Sequence, residues 1–138
     1  MIPTKRTIAA ATLAILTACT TAFAQSEIRL GTIKLPDGFR ISTYAEKVPN
    51  ARQMTLGADG TVFVGSRDRG AGQGYAVVDK DKNGVAEEVK VIAKGLTNPS
   101  GVAFRDGALY VAAVNQILRF DNIESTYMNS PAPVLVTD

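Results

Sequence analysis

From position 39 onward the apolar residues fall into short runs rich in valine, isoleucine, phenylalanine and tyrosine, and glycine, aspartate, asparagine and proline separate the runs. This arrangement is typical of β-strands joined by tight turns, and no stretch of the sequence repeats its apolar residues with a convincing helical period. We therefore predict an all-β fold. The predicted strands are 39–44, 53–56, 62–65, 75–78, 89–93, 101–104, 109–113, 117–120 and 134–136.

The strand pattern occurs twice. The segment from Met54 to Val64 consists of a strand, an Asp-Gly turn and a second strand, and the segment from Val102 to Val111 has the same order. The turns are Asp59-Gly60 and Asp106-Gly107, in which glycine supplies the positive φ that tight hairpins require. The two turns lie 47 positions apart, and each copy continues into a third and a fourth strand.

Four antiparallel strands in each repeat of about 40 to 50 residues are typical of a β-propeller blade. We predict one blade at 50–93 and a second at 98–136, with a leading strand at 39–44 of the kind that completes the last blade of a ring. A ring needs at least about four blades, so the chain is expected to form only the first part of one. An ordinary β-sandwich with accidental internal similarity is the alternative.

The first 24 residues have the features of an export signal. Lys5 and Arg6 precede an uncharged apolar run at 7–18, and Ala22-Phe23-Ala24 fits a small-x-small cleavage site. The run is too short to span a bilayer, which takes about 20 apolar residues. We predict a signal peptide at 1–24, a linker at 25–38, and a periplasmic or secreted protein.

A second processing site competes with the first. The sequence Leu16-Thr17-Ala18-Cys19 resembles the lipobox of bacterial lipoproteins, in which the cysteine becomes the lipidated first residue. On that alternative the protein is anchored to a membrane through Cys19. On the first interpretation this cysteine, the only one in the sequence, is removed, and the mature chain has no disulfide, thiolate nucleophile or cysteine metal site.

Charge and composition exclude several classes of function. The formal net charge is +2, and lysine and arginine are scattered among acidic residues instead of forming the basic face of a nucleic-acid-binding protein. The sequence contains no histidine, which excludes an imidazole base or a histidine metal site within this chain.

One acidic segment has the spacing of a calcium loop. Asp79, Asp81 and Asn83, followed by a glycine, match the first half of such a loop, and Glu87 at the ninth position could contribute a further ligand. The twelfth position is Lys90, where an EF-hand needs a glutamate. The alternative is a polar turn between the third and fourth strands, where these residue types are common.

Four further motifs occur in the order Leu35–Ile41, Val48–Met54, Gly60–Arg67 and Asn98–Phe104. Together they resemble the start of the sorbosone dehydrogenase family. Members of that family are exported quinoproteins related to soluble glucose dehydrogenase. The resemblance extends from about position 35 to position 136.

The resemblance implies a six-bladed β-propeller that binds pyrroloquinoline quinone, oxidises a sugar or aldose and passes electrons to an acceptor. It also implies a histidine as general base, and no residue of this chain matches it. Later blades supply much of the pocket in the family, so this chain alone is expected to be inactive. A non-enzymatic propeller that binds a protein or carbohydrate partner is the alternative, because the fold does not determine the function.

In a propeller, the loops before the innermost strand and those between the second and third strands share the functional face. The residues at these positions are Asn50, Arg52, Arg67, Asp68, Arg69, Asn98 and Asn115. We predict that Arg52, Arg67 and Asn98 bind the cofactor, because a guanidinium group binds a carboxylate such as those of the quinone through two parallel hydrogen bonds. The alternative for each is a solvated loop charge or a turn-forming asparagine.

Overall fold

A computed structural model describes residues 29–137 of the chain. The predicted signal peptide at 1–24, with Cys19, and the first residues of the predicted linker lie outside the described residues. The chain divides into two compact units, Met1–Asp37 and Gly38–Asp138. Within residues 29–137, no helix is both long enough and apolar enough to cross a membrane.

The described part of the first unit contains one short 3-10 helix, Leu30–Thr32. The backbone N–H of Thr32 and its hydroxyl both donate to the carbonyl of Arg29, at 3.1 and 2.9 Å. Nearly all residues of this segment are exposed.

The second unit consists mainly of eight strands in the described range. They are β1 (Ala51–Leu56), β2 (Val62–Ser66), β3 (Gly72–Val78), β4 (Glu88–Leu96), β5 (Gly101–Arg105), β6 (Ala108–Ala112), β7 (Ile117–Phe120) and β8 (Val134–Thr137). The first sheet has the order β1-β2-β3-β4 and the second has the order β5-β6-β7-β8, and every pairing is antiparallel. Each sheet is therefore a simple meander, and the predicted all-β character is confirmed.

The two predicted hairpin turns are present. Asp106 and Gly107 have φ values of 50° and 80°, as a two-residue turn with two left-handed positions requires, and they join β5 to β6. Gly60 has a φ of 99° in the longer connection between β1 and β2, where the N–H of Gly57 donates to the carbonyl of Thr61 at 2.8 Å. Both turns depend on a positive φ, which glycine adopts without steric cost.

The main core lies between the two sheets. Alternate residues of each strand point into it, because successive side chains of a strand lie on opposite faces. Phe63 of β2 stacks on Phe104 of β5 with ring centroids 5.8 Å apart. The buried residues of this core are Phe63, Ala76, Ile92, Ala93, Leu96, Val102, Leu109, Val111, Leu118, Phe120 and Ile123.

A smaller cluster covers part of the opposite face of the first sheet. Val64, Tyr75 and Val77 are buried there, and apolar residues from the segment preceding β1 pack against them. The Tyr75 hydroxyl donates to the carbonyl of Pro49 at 3.3 Å, which ties that segment to β3.

The predicted leading strand at 39–44 is wrong. These residues form no strand, and Phe39 is 69% exposed. Ala86 donates its N–H to the carbonyl of Tyr44 at 2.7 Å, but no ladder follows from this contact. A strand needs a neighbour along its length, and the expected neighbour was a later sheet that is not among the described residues.

A short helix, which the sequence pattern did not predict, connects β7 to β8. It comprises α1 (Ile123–Thr126) followed by a 3-10 turn (Tyr127–Asn129). Ile123 is fully buried in the main core, and Asn122 before it has a φ of 50°. A single helical turn contains too few residues to display a 3.6-residue period, so periodicity could not reveal it.

Candidate functional site

The backbone brings Arg52 and Arg67 to the same end of the first sheet. β1 begins at Ala51, which pairs with Ser66 at the end of β2, and the N–H of Arg67 donates to the carbonyl of Asn50 at 2.9 Å. The register shifts between Ala51 and Gln53, so Arg52 lies in a β-bulge. A bulge changes the direction in which a side chain points, and this bulge lies at the start of β1.

Asn98 lies at the same end of the first sheet. Its N–H donates to the carbonyl of Asp68 at 2.7 Å, and the N–H of Ser66 donates to the carbonyl of Pro99 at 3.1 Å. Asn115 lies in the turn between β6 and β7, whose neighbour Val114 donates its N–H to the carbonyl of Thr97 at 3.0 Å. The structure thus places the predicted functional loops of both sheets side by side.

Asn50 and Asn98 have the same backbone conformation at equivalent positions of the repeat, 48 residues apart. Their φ values are 57° and 47°, in the left-handed region that asparagine tolerates better than most residues. Asn98 therefore forms the turn before β5. Its Oδ1 atom is also buried, and no described residue donates a hydrogen bond to it.

Asp68 organises the loop between β2 and β3. Its Oδ1 atom accepts the N–H groups of Gly70 and Ala71 at 3.0 and 3.2 Å, and the Asn50 amide approaches its Oδ2 atom at 3.5 Å. The two backbone donors hold the pKa of the Asp68 carboxyl below its usual value. Asp68 is accordingly a structural residue of this end, while its neighbour Arg69 is an exposed loop residue.

The side chains of Arg52 and Arg67 are exposed, and neither makes an ion pair within the part of the chain that the structure describes. Three cations in that range are paired, Lys80 with Glu88, Arg105 with Asp106, and Arg119 with Asp121, and the others, among them Arg69, make no ion pair either. Two unpaired guanidinium groups at one end of a sheet form a donor set that fits an anionic ligand.

The predicted calcium residues lie together in the loop between β3 and β4. Asp79, Asp81 and Glu87 each offer a carboxylate oxygen, and these atoms are within 4.8 Å of one another. Carboxylate oxygens are the ligands that calcium prefers. The sequence prediction groups these three residues with Asn83, and whether the four bind calcium stays a prediction.

Hydrogen bonds within the same loop also stabilise it as a polar turn. Asp79 accepts the N–H groups of Asn83 and Gly84 at 3.1 and 2.9 Å, and Glu87 accepts that of Lys80 at 2.8 Å. The side chain of Asn83 donates to Asp81 at 2.9 Å, and its oxygen accepts the N–H of Val85 at 2.8 Å. The side-chain oxygen of Asn83 thus already accepts a hydrogen bond within the turn. Each carboxylate, in contrast, retains lone pairs that can bind a metal ion.

A cleft of about 690 Å³ lies between residues 43–49 and strands β3 and β4, next to this loop. Its lining includes the aromatic side chains of Tyr44 and Tyr75 together with Glu87 and Val89. Partial burial raises the pKa of the Tyr44 hydroxyl, and the negative charges of Asp79 and Glu87 raise it further.

One important contact has no signature in the sequence. The Glu124 carboxylate of α1 accepts the N–H groups of Ala58 and Asp59 at 2.9 Å each, and so joins the second sheet's helix to the first sheet's β1–β2 turn. Residues more than sixty positions apart meet here, and no local motif signals such a pair. This contact lies at the β1–β2 turn, away from the end that carries Arg52 and Arg67.

The chain resembles a known protein over part of its length. The chain is similar to an uncharacterized protein from Borreliella burgdorferi, with 30% identity over 94 residues. The match covers 67% of this chain and 22% of the relative, so the chain spans less than a quarter of that protein's length. No family model and no solved structure matches the chain.

Proposed function

We propose that this chain is the N-terminal part of an exported quinoprotein that oxidises a sugar or aldose with pyrroloquinoline quinone. The observation that supports the proposal most directly is the convergence of Arg52, Arg67 and Asn98 at one end of two successive four-stranded meanders. These are the residues that the expected loop positions of a propeller placed on its functional face and that we predicted to bind the cofactor. Two meanders in succession are also the arrangement expected of two neighbouring blades of a β-propeller.

In this proposal, Arg52 and Arg67 bind carboxylates of the quinone, and Asn98 contacts the quinone from the same end of the sheets. The arginines fit this role because their guanidinium groups are exposed and make no ion pair with another described residue. The quinone, when bound, supplies the oxidising chemistry, and the protein supplies orientation and charge.

The chain does not supply a general base of the expected kind, because it contains no histidine. The proposal therefore assigns the complete activity, with its electron acceptor, to a longer polypeptide. The Borreliella burgdorferi protein, of which the match covers 22%, has ample length beyond the matched segment. Residues beyond position 138 would contribute the base and the remaining blades.

Export is part of the same proposal. Cleavage after Ala24 would give a periplasmic or secreted protein, whereas processing at Cys19 would give a protein anchored by lipid. Mass spectrometry of the protein isolated from its host distinguishes the two, because only the second leaves a lipidated N-terminal cysteine.

The test of function uses the complete reading frame that contains this chain. We expect its product to bind added pyrroloquinoline quinone and to oxidise an aldose in the presence of an artificial electron acceptor. Arg52→Ala and Arg67→Ala should each weaken quinone binding by about ten- to a hundredfold, because each removes a charge-assisted hydrogen bond to a carboxylate.

Arg105→Ala is the matched control, because Arg105 is an exposed arginine in the β5–β6 hairpin, at the opposite end of its sheet. It should leave quinone binding unchanged. Equal losses in all three variants would show a general effect of charge and would contradict the assigned site.

The alternative, a non-enzymatic propeller that binds a protein or carbohydrate, makes a different prediction. Further repeats without a histidine in a loop at the Arg52 end, together with no quinone binding, would favour it. A histidine in such a loop and a bound quinone would favour the dehydrogenase.

A further inference from the structure

Asp68 bonds to all three segments that carry a predicted cofactor residue. Arg67 begins the loop between β2 and β3, Arg52 lies at the start of β1, and Asn98 lies in the segment before β5. Asp68 belongs to the first of these segments and joins it to the other two, through its carboxylate and through its carbonyl oxygen. It is therefore placed to control how the three segments lie relative to one another.

Within its own loop, the Asp68 carboxylate fixes the backbone that follows it. Its Oδ1 atom accepts the N–H groups of Gly70 and Ala71 at 3.0 and 3.2 Å. Arg67 and Arg69 flank Asp68, so the conformation that these bonds hold sets the backbone positions from which both arginine side chains extend. Without these bonds, the loop would have more conformational freedom to lose when a ligand binds.

The same carboxylate reaches the segment before β1. The side-chain amide of Asn50 donates to the Oδ2 atom of Asp68 over a long 3.5 Å, and the Asn50 carbonyl accepts the N–H of Arg67 at 2.9 Å. Asn50 has a left-handed conformation, with a φ of 57°, and lies two positions before Arg52. These contacts hold the start of β1, and with it the bulge that contains Arg52, against the loop of Asp68.

The backbone of Asp68 joins the first sheet to the segment before β5. Its carbonyl accepts the N–H of Asn98 at 2.7 Å, and the N–H of the nearby Ser66 donates to the Pro99 carbonyl at 3.1 Å. The Asp68 carbonyl is present whatever side chain stands at this position. The direction in which it points depends on the loop conformation, which the carboxylate holds, so the carboxylate also sets the position of Asn98.

We propose that Asp68 is a positioning residue of the quinone site: its carboxylate arranges the two arginines and Asn98 without contacting the quinone. The inference rests on the proposed function, because it concerns the organisation of that same site. The charge of Asp68 has the wrong sign for direct binding. Its two backbone donors lower its pKa, so it is ionised at neutral pH, and a negative charge beside a site for carboxylates opposes their binding.

Charge and positioning predict opposite effects of Asp68→Ala on the binding of added pyrroloquinoline quinone to the product of the complete reading frame. If Asp68 acted only through its charge, the variant would bind the quinone more tightly, because a repelling charge is lost. We expect it to bind about tenfold more weakly, because part of the binding free energy must then order the loop. Asp68→Asn should recover most of this affinity, since its side-chain oxygen can still accept the N–H groups of Gly70 and Ala71.

Asp68→Glu keeps the charge but moves the carboxylate by one methylene group away from its backbone donors. It should also weaken quinone binding, and it serves as the second variant if Asp68→Ala fails to fold. Asp59→Ala is the matched control, because it removes an exposed carboxylate from the β1–β2 turn, at the other end of the first sheet. It should bind the quinone as the wild type does.

Three results of the titrations would overturn the proposal. The first is an Asp68→Ala variant that binds the quinone as tightly as the wild type or more tightly. The second is an Asp68→Glu variant with unchanged affinity, and the third is an equal loss of affinity in Asp59→Ala.

A measurement without quinone separates this inference from the proposed function. Hydrogen exchange of the N–H groups of Gly70, Ala71 and Asn98 should be faster in Asp68→Ala than in the wild type and close to the wild type in Asp68→Asn. Unchanged exchange in Asp68→Ala would overturn the inference even if the wild type binds the quinone. If the wild type binds no quinone, the proposed function fails, and the exchange rates alone decide whether Asp68 organises this end of the sheet.

Discussion

At the end of the first sheet, the Asp68 carboxylate accepts two backbone N–H groups of its own loop, and the Asp68 carbonyl accepts the N–H of Asn98. The side chain therefore shapes the loop that carries Arg67, and the backbone of the same residue holds the segment before β5. The sequence placed Asp68 in the right loop, but only the hydrogen bonds distinguish its structural role from a role in binding.

Asp68→Asn should change how stability depends on pH. The pKa of Asp68 in the folded protein is lowered, so its carboxylate stabilises the fold above the ordinary value of 3.8 and loses this effect as the pH falls through the lowered value. Asparagine can accept the same N–H groups but does not ionise in this range. Urea unfolding should show the wild type as the more stable at neutral pH and the difference shrinking below about pH 3.8. A difference that is constant with pH would contradict this account.

Glu124→Ala should lower the free energy of unfolding by about 1 to 2 kcal/mol, because two N–H groups of the β1–β2 turn lose a charged acceptor. Gly57→Ala should act through the same contact, since an added Cβ would collide with the Glu124 carboxylate and displace it. Chemical denaturation of both single variants and the double variant gives the coupling. The double variant should lower the free energy of unfolding by clearly less than the sum of the two single effects. Strict additivity of the two effects would rule out the shared contact.

At the scale of elements, close approach between the sheets depends on a glycine in β2. A Cβ at Gly65 would lie 2.5 Å from the Pro99 carbonyl oxygen and 2.9 Å from that of Ser100. Both are backbone atoms at the start of the second sheet, so they cannot move aside as a flexible side chain would. The N–H of Ser66 donates to the same Pro99 carbonyl, which shows how directly this strand and the next sheet are joined.

Gly65→Ala should therefore destabilise the protein by about 1 to 3 kcal/mol through overpacking. Gly70→Ala is the matched control, because no atom outside its immediate neighbours lies within 4 Å of its added Cβ and its φ is not positive. It should change the free energy of unfolding by no more than about 0.5 kcal/mol. Thermal and urea unfolding measure both, and equal effects would show that β2 does not need this close approach.

The loop between β3 and β4 gives a prediction about metal binding. Calcium should raise the Tm of the wild type, because it binds the converging carboxylates of the folded loop more tightly than those of the unfolded chain. Glu87→Gln should abolish the shift while keeping an acceptor for the N–H of Lys80. Glu46→Gln, outside the loop, should retain the shift. An unchanged Tm of the wild type at high calcium would reject the predicted site.

The strands were predictable because their signals are local. The predicted strands from 53 onward all have a counterpart, and the structure extends several of them, such as β3, which begins at Gly72 instead of position 75. Extension at the ends is expected, since hydrogen bonding to a neighbour can continue past the last apolar residue. The segment 39–44 had an equally suitable pattern but forms no strand, because pairing requires a partner edge that a sequence pattern does not supply.

At the scale of the whole molecule, one core joins both sheets. A substitution that weakens packing in this core should therefore destabilise both sheets together. Leu109 is fully buried between the sheets, and Leu109→Ala should lower the free energy of unfolding by about 2 to 5 kcal/mol. Leu135→Ala, at a residue 52% exposed on β8, should cost much less. Hydrogen exchange should show that Leu109→Ala reduces protection in both sheets. Loss confined to the second sheet would indicate that the first is stable alone.

The sequence by itself determined the all-β character, the two repeats and their hairpin turns, because alternation of side chains and the positive φ of glycine act within a few residues. It also placed Arg52, Arg67 and Asn98 at positions that the structure brings to one end. Only the tertiary structure decided that Asn98 forms a left-handed turn with a buried side-chain oxygen, that Glu124 joins the two sheets, and that Met54 and Leu56 are left exposed. These features depend on contacts between residues far apart in the chain, and such contacts are set by how the sheets pack, which no local pattern encodes.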